Sequence, residues 1–297
     1  MKDNDNNKIK ESVNYDDSMD AGNHFNPIPT AKDSGKNLQI IYTKNNDETQ
    51  LKKDENTKKD YKEIKFKLYQ KFLGELFGTA ILVYQSCGSS VFIKDKLYVG
   101  VLASSFTVLF LVYIFINISG SHFNPAVSFA IYLKGSITLK EFFLYMLAQI
   151  IGAFLGCCFI ALSRKGKFDE LAGTKIQDYL IQVHGGTEID AWCYISCLFT
   201  ELFSTFILLF FVLAITEKFN EIGINIGIAF GCTLIALVFT ACNISGSSFN
   251  PARSLAPAVL QAISGGDTKP IEQIWIYIIG PFGGAFLAYY AWKIFVI

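Results

Sequence analysis

The residues best placed to do chemistry are two copies of one tripeptide, Asn124-Pro125-Ala126 and Asn250-Pro251-Ala252, each following an apolar stretch. Asn is a strong helix N-cap, and Pro is favoured at the first helical position because its missing N–H is not needed there. Each tripeptide therefore predicts a helix start. The first helix runs from Asn124 and stops at Gly135; the second runs from Asn250 to about Ile263, before Gly265-Gly266. At a rise of ~1.5 Å per residue, about eleven residues reach ~16 Å, half of a ~30 Å hydrocarbon core. Neither helix can span, and the non-helical backbone before each is tolerable at membrane depth only when buried in protein or lining a wet cavity. Two half-helices starting at the midplane bring together two positive dipole ends, each worth about half a charge, beside two Asn amides. A cation or hydronium meets a barrier there, whereas a neutral molecule with lone pairs is oriented and passes.

The elements that must hold these starts together come in two sets. A shift of 126 residues carries Asn117-Ile118-Ser119-Gly120 onto Asn243-Ile244-Ser245-Gly246, Phe123 onto Phe249, Ser128 onto Ser254, and Glu75-Leu76-Phe77 onto Glu201-Leu202-Phe203. A register kept over such a distance is an internal repeat, and in a membrane protein such a repeat points to a site where the halves meet. Apolar runs lie at 68–93, 97–118, 139–163, 191–215, 222–242 and 271–297, each near the ~20 residues that cross a bilayer as helix. The expected fold class is an all-α membrane protein with six transmembrane helices, two re-entrant half-helices and an inverted internal repeat. The domain reading is a tail at 1–64 and a channel domain at 65–297, with repeat one at 66–163, a loop at 164–190 and repeat two at 191–297.

Residues 1–67 hold 13 of the 26 basic and 13 of the 26 acidic residues and have no apolar periodicity, so the tail is expected to be disordered. No apolar run follows the start, which argues against a signal peptide. Lys58, Lys59, Lys62, Lys65, Lys67 and Lys71 place both termini in the cytosol; Arg164, Lys165 and Lys167 then lie outside, against the charge rule, with the first helix dominating orientation. Balanced charge gives no sign of a nucleic-acid partner. The seven cysteines fall in or beside predicted spans, and none stands at a metal-ligand spacing from a histidine. No metal site, cofactor or catalytic set is expected, and an enzyme is excluded on that ground. The Asn-x-Ser matches at Asn117 and Asn243 lie inside the membrane region, where glycosylation is not expected.

The chain resembles an aquaporin of the major intrinsic protein family over about residues 66–296. The resemblance rests on Gly120-Ser121-His122-Phe123-Asn124-Pro125-Ala126-Val127, Ser248-Phe249-Asn250-Pro251-Ala252-Arg253-Ser254, Glu75, Glu201, Ala148-Gln149-x-x-Gly152 and Gly280-Pro281-x-Gly283-Gly284. It implies a six-helix bundle with a seventh pseudo-span made of the half-helices, assembled as a homotetramer with a pore in each protomer. It also implies roles. Asn124 and Asn250 are midplane donors, Arg253 is the constriction cation, Glu75 and Glu201 brace the re-entrant loops, and His122 lines or braces the cytoplasmic vestibule. The glycines of the third and sixth spans are close-contact positions.

Selectivity departs from the water-channel pattern. That pattern has an aromatic where this chain has Ser104, a His at Val238, and often a Cys at Ser247. Ser104, Val238, Ser247 and Arg253 form a constriction without a bulky ring, with Phe106 unsuited by its helical spacing to fill the gap. Against this, Ser254 stands where glycerol channels place Asp; Tyr277 matches the water pattern and Ile278 the glycerol one. The expectation is a passive water channel in a bilayer of the plasma membrane or an intracellular vesicle, excluding ions and also passing small neutral solutes. The alternatives are a glycerol- or urea-type channel with water as a minor permeant, a gated or closed structural membrane protein, and a secondary transporter, which would need titratable groups beyond the symmetry-matched Glu75 and Glu201. The connection Thr216–Gly223 carries Phe219 among charges, a candidate plug for the cytoplasmic vestibule, and the basic run before the first span is suited to anionic lipid.

Overall fold

A computed structural model describes residues 66–93, 97–217 and 225–296. The tail read at 1–64 and the candidate plug Phe219 lie outside the described residues. All regular structure among the described residues is helical. The long helices are α1 (Leu68–Phe92), α2 (Leu97–Phe115), α4 (Leu139–Ser163), α6 (Ala191–Glu217), α7 (Asn225–Ala241) and α10 (Ile274–Phe295), and the half-length ones are α3 (Pro125–Leu133) and α8 (Pro251–Ile263). Two short helices, α5 (Asp178–Val183) and α9 (Lys269–Glu272), lie in the connections. α2, α4, α6 and α10 are long and apolar enough to cross a membrane. α1 has the length, at 25 residues, but Lys71 and Glu75 interrupt its apolar character; α7 is apolar over 17 described residues.

The half-helices have 9 and 13 residues, about 14 and 20 Å of rise, and Asn124 and Asn250 are their N-caps. α1 packs against α4 and α6 against α10, while α2 meets α7. The half-helices are exchanged between repeats. Ala126, Ala130 and Ile131 of α3 are buried with Leu209 and Leu213 of α6 and Ala285 and Trp292 of α10. Ala252 and Ala256 of α8 are buried with Val83 and Cys87 of α1 and Ala153, Cys157 and Ile160 of α4. Neither repeat completes its core alone, which makes the two tripeptides meet.

Close helix approach depends on glycine. A Cβ on Gly152 of α4 would lie 2.3 Å from the Leu76 carbonyl oxygen of α1, and one on Gly284 of α10 would lie 2.4 Å from the Leu202 carbonyl oxygen of α6. α4 begins with a reciprocal cap, Glu141 N–H donating to Thr138 Oγ1 (3.2 Å) and Thr138 N–H to Glu141 Oε2 (2.9 Å), and Lys71 Nζ donates to Glu141 Oε1 at 2.8 Å, joining the starts of α1 and α4. Leu73, Phe77 and Ile81 of α1, Phe143, Leu147 and Ile151 of α4, and Phe199 and Phe203 of α6 are exposed. Such area on a water-soluble monomer would drive association; on spanning helices it is suited to the apolar interior of a bilayer.

Candidate functional site

The site is built where α3 and α8 begin. Asn124 Oδ1 accepts from Ala126 N–H at 2.8 Å, and Asn250 Oδ1 accepts from Ala252 N–H at 3.1 Å and Arg253 N–H at 3.2 Å. Each amide nitrogen then reaches into the other repeat: Asn124 Nδ2 donates to the Phe249 carbonyl at 2.8 Å, and Asn250 Nδ2 to the Phe123 carbonyl at 2.9 Å. This exchange fixes which way both amides point, because oxygen and nitrogen have different partners.

The loops leading into the tripeptides are strained in the same way. Ser121 and Phe123 have φ of 56° and 50°, and Ser247 and Phe249 have 53° and 54°. A side chain in this region costs on the order of 1–3 kcal/mol, so something must hold it there. Glu75 and Glu201 do. Glu75 accepts from Ser119 Oγ (2.6 Å), His122 N–H (3.0 Å), Phe123 N–H (2.6 Å) and Gln149 Nε2 (2.9 Å). Glu201 accepts from Ser245 Oγ (2.6 Å), Ser248 N–H (3.0 Å) and Phe249 N–H (2.8 Å). Both carboxylates are fully buried. A further pair supports the loops: Tyr145 of α4 and Tyr277 of α10 donate their hydroxyls to the Ser119 and Ser245 carbonyls, at 2.7 and 2.8 Å. Nothing in the sequence marks Tyr145 for this role, and Tyr277 stands out there only as a selectivity position. Their common spacing to the repeat was obscured because it differs from 126 residues.

His122 is buried, with Nδ1 3.0 Å from Ser128 Oγ and its ring edge-on to Tyr145. Ser128 also accepts from Gln149 Nε2 at 2.9 Å. In repeat two, Ser248 replaces the histidine and meets Ser254 Oγ directly.

Two cavities, of about 80 and about 280 Å³, adjoin this centre. The smaller is lined by Asn124, Asn250 and His122 among others, and the larger by Thr174, Lys175 and Gln177. Five residues line both: Ser86, Ser104, Val238, Ser247 and Arg253. None carries a ring, and Phe106 is exposed on the outside. Four of these were expected from the sequence. Ser86, on α1, was not, because counting from the tripeptides reaches only the neighbouring helices. Ser104 Oγ donates to the Val101 carbonyl and Ser247 Oγ to the Val238 carbonyl, both at 3.0 Å. Their protons are thus committed to backbone, leaving acceptor lone pairs.

The 164–190 segment is more than a connection: it holds the arginine. Arg253 Nη1 donates to the Ala172 carbonyl at 3.1 Å, and Ala172 itself has φ of 53°. Gln261 Oε1 on α8 accepts from Leu171 N–H at 3.1 Å and Gly173 N–H at 2.8 Å, and Thr174 Oγ1 lies 2.6 Å from Ser254 Oγ. Lys175 Nζ lies 2.6 Å from Asp267 Oδ2. Partial burial pushes the Asp267 carboxyl up, but the Lys175 hydrogen bond and that from Lys269 N–H outweigh it and hold it below its ordinary 3.8. A depressed carboxylate contributes its stability above the unfolded value and loses it as pH falls through the folded one. The protection of residues 171–177 against hydrogen exchange, relative to the intrinsic rate at each pH, is therefore expected to hold from neutral pH to about pH 4 and to fall below it, a loss that Asp267→Asn should bring to neutral pH.

A profile of the family described as Major intrinsic protein matches residues 62–292. The chain is 32% identical over 230 residues to "Aquaporin NIP1-1" of Zea mays, covering 76% of this chain and 74% of the relative. It is 33% identical over 222 residues to "Glycerol uptake facilitator protein-like 6" of Lactiplantibacillus plantarum, covering 74% and 94%. The X-ray structure of the aquaglyceroporin from Plasmodium falciparum superposes with a TM-score of 0.65 at 22% identity, over 77% of this chain and 97% of that one. At that identity the likeness speaks for the fold.

Proposed function

The chain belongs to the major intrinsic protein family, whose members are multi-pass membrane channels and not enzymes, and we propose that it is a passive pore for water and for small neutral solutes bearing hydroxyl or amide groups. The observation that carries this is the shared lining of the two cavities by Ser86, Ser104, Val238, Ser247 and Arg253, with no ring among them. Asn124 and Asn250 sit at the crossing of the half-helices as midplane donors, and Arg253 donates from the rim of the constriction. Ser104 and Ser247 supply acceptors in the same lining. A solute that both donates and accepts finds partners for each of its groups, whereas water needs fewer. Two helix N-termini and the guanidinium give the path three sources of positive potential, which reject cations and hydronium. His122 braces the vestibule through Ser128 and Tyr145. Two relatives whose names carry "aquaporin" and "glycerol uptake facilitator" support both permeant classes.

The working unit in this reading is the 65–297 domain as a homotetramer in lipid, with Lys67 and Lys71 facing the cytosol and the 164–190 segment outside. The outward apolar residues of α1, α4 and α6 supply area for partner chains and for lipid.

Purified protein reconstituted into proteoliposomes is expected to speed shrinkage in stopped-flow light scattering with water, glycerol and urea in one preparation. No ion current and no dependence on an ion gradient should accompany it. Tetrameric protein that accelerates neither water nor any of these solutes would sink the proposal, and saturation tied to an ion gradient would point to a transporter.

A further inference from the structure

At the outer end of repeat two, away from the pore lining, a tight turn folds the end of α5 back onto the start of α6. His184 is the C-cap of α5, Gly185 takes a φ of 75°, and Asp190 caps α6, its Oδ1 accepting from Cys193 N–H at 2.8 Å. Three different ligand types converge as a result. His184 Nδ1 lies 3.4 Å from Asp190 Oδ1 and 3.5 Å from Cys193 Sγ, and all three atoms fall within 4.8 Å of one another. No linear spacing rule predicts a metal here, because the positions are separated by six and three residues across a helix end, a turn and a helix start.

Bond lengths of about 2.0–2.1 Å to nitrogen or oxygen and about 2.3 Å to sulfur in a tetrahedral zinc site require ligand edges of about 3.3 Å for N···O and about 3.5 Å for N···S. Two edges, 3.4 and 3.5 Å, meet these values, and the carboxylate-to-thiol edge lies within 4.8 Å. Helix capping explains why Asp190 is at the turn, but it does not place a thiol beside the imidazole. Imidazole, thiolate and carboxylate together favour zinc or a similar borderline-soft divalent ion over magnesium or calcium. Cys193 is buried, His184 is 22% exposed and Asp190 48%, so the cluster is closed on the sulfur side and open on the carboxylate side. That leaves the fourth position for water.

We propose that His184 Nδ1, Asp190 Oδ1 and Cys193 Sγ form a zinc-class divalent metal site that ties the end of α5 to the start of α6. Binding releases the thiol proton to solvent and forms a metal–thiolate bond. His184 and Asp190 lie on the same segment that carries Ala172 to Arg253 and that donates Gln177 N–H to the Ile244 carbonyl at 3.1 Å, so occupancy braces the outer loop from its far end. Its existence does not depend on which solutes the pore conducts.

The test is a titration of the full-length protein in detergent with Co²⁺, then Zn²⁺, in a Cys232→Ser background that removes the exposed thiol. The expected result is one Co²⁺ per protomer with sulfur-to-cobalt charge-transfer absorption, displaced by Zn²⁺. Cys193→Ser should abolish the absorption. His184→Gln and Asp190→Asn should each weaken binding at least about tenfold; Asn keeps the helix cap, so the last variant should still fold. Monodisperse protein that binds no Co²⁺ at millimolar concentration overturns the proposal, and so does binding that all three variants retain at parental affinity. Retention by Cys193→Ser alone would exclude the thiol and overturn the site as drawn.

Discussion

Glu75→Ala is expected to leave almost no folded protein, and Glu201→Ala to follow it at smaller cost. The carboxylate of Glu75 accepts four hydrogen bonds and that of Glu201 three, in fully buried surroundings. Truncation orphans every one of those donors, at about 1–3 kcal/mol each. At the middle of that range the loss, about 6–8 kcal/mol, rivals the whole stability margin of a domain, about 5–15 kcal/mol. Each truncation also releases two non-Gly residues held at positive φ, Ser121 and Phe123 or Ser247 and Phe249, whose relaxation draws the Phe123 or Phe249 carbonyl away from the opposite Asn amide. The measure is the fraction of extracted protein that elutes as a single species on size exclusion, with the thermal midpoint of what remains. Gln at either position keeps the volume and one acceptor oxygen but turns an amide N–H toward donors, so an intermediate loss is expected, greater at 75 than at 201. Two folded Gln variants with parental midpoints but lost transport would instead mark the carboxylates as a proton relay and defeat the bracing role.

The part of this site that was legible in the sequence is the part whose physics is local. An Asn N-cap with Pro at the first helical position sets a helix start whatever surrounds it, and α3 and α8 begin at Pro125 and Pro251. The long apolar runs foretold the long helices to within a few residues, because a lipid-facing helix needs apolar length more than pattern. What the sequence did not yield depends on contacts between distant segments. Tyr145 and Tyr277 look like interfacial aromatics until their hydroxyls are seen to reach loop carbonyls. The 164–190 stretch has polar character and one six-residue helix, so nothing in it announces that the Ala172 carbonyl anchors Arg253. The His184, Asp190 and Cys193 cluster fails every linear spacing rule because a turn creates it.

Ser104→Phe combined with Val238→His is expected to cut glycerol and urea permeability at least about tenfold while lowering water permeability much less. Ser104 is on α2 and Val238 on α7, so the two face the shared constriction from helices that pack together. A ring at 104 removes width, and an imidazole at 238 adds a donor–acceptor beside Arg253 where an apolar wall now stands. Ser247 donates to the Val238 carbonyl, a backbone bond that the substitution leaves in place. A tenfold drop corresponds to about 1.4 kcal/mol of added barrier, well within what one intruding ring imposes on a solute larger than water. Water occupies only about 30 Å³ and keeps Arg253 and the Asn pair as partners. The single variants separate the two causes: Ser104→Phe should account for most of the loss if width governs, and Val238→His if polarity does. Equal falls for water and solutes would move the selective step elsewhere, Ser86 being the first residue to test because it lines both cavities and was invisible to the family pattern.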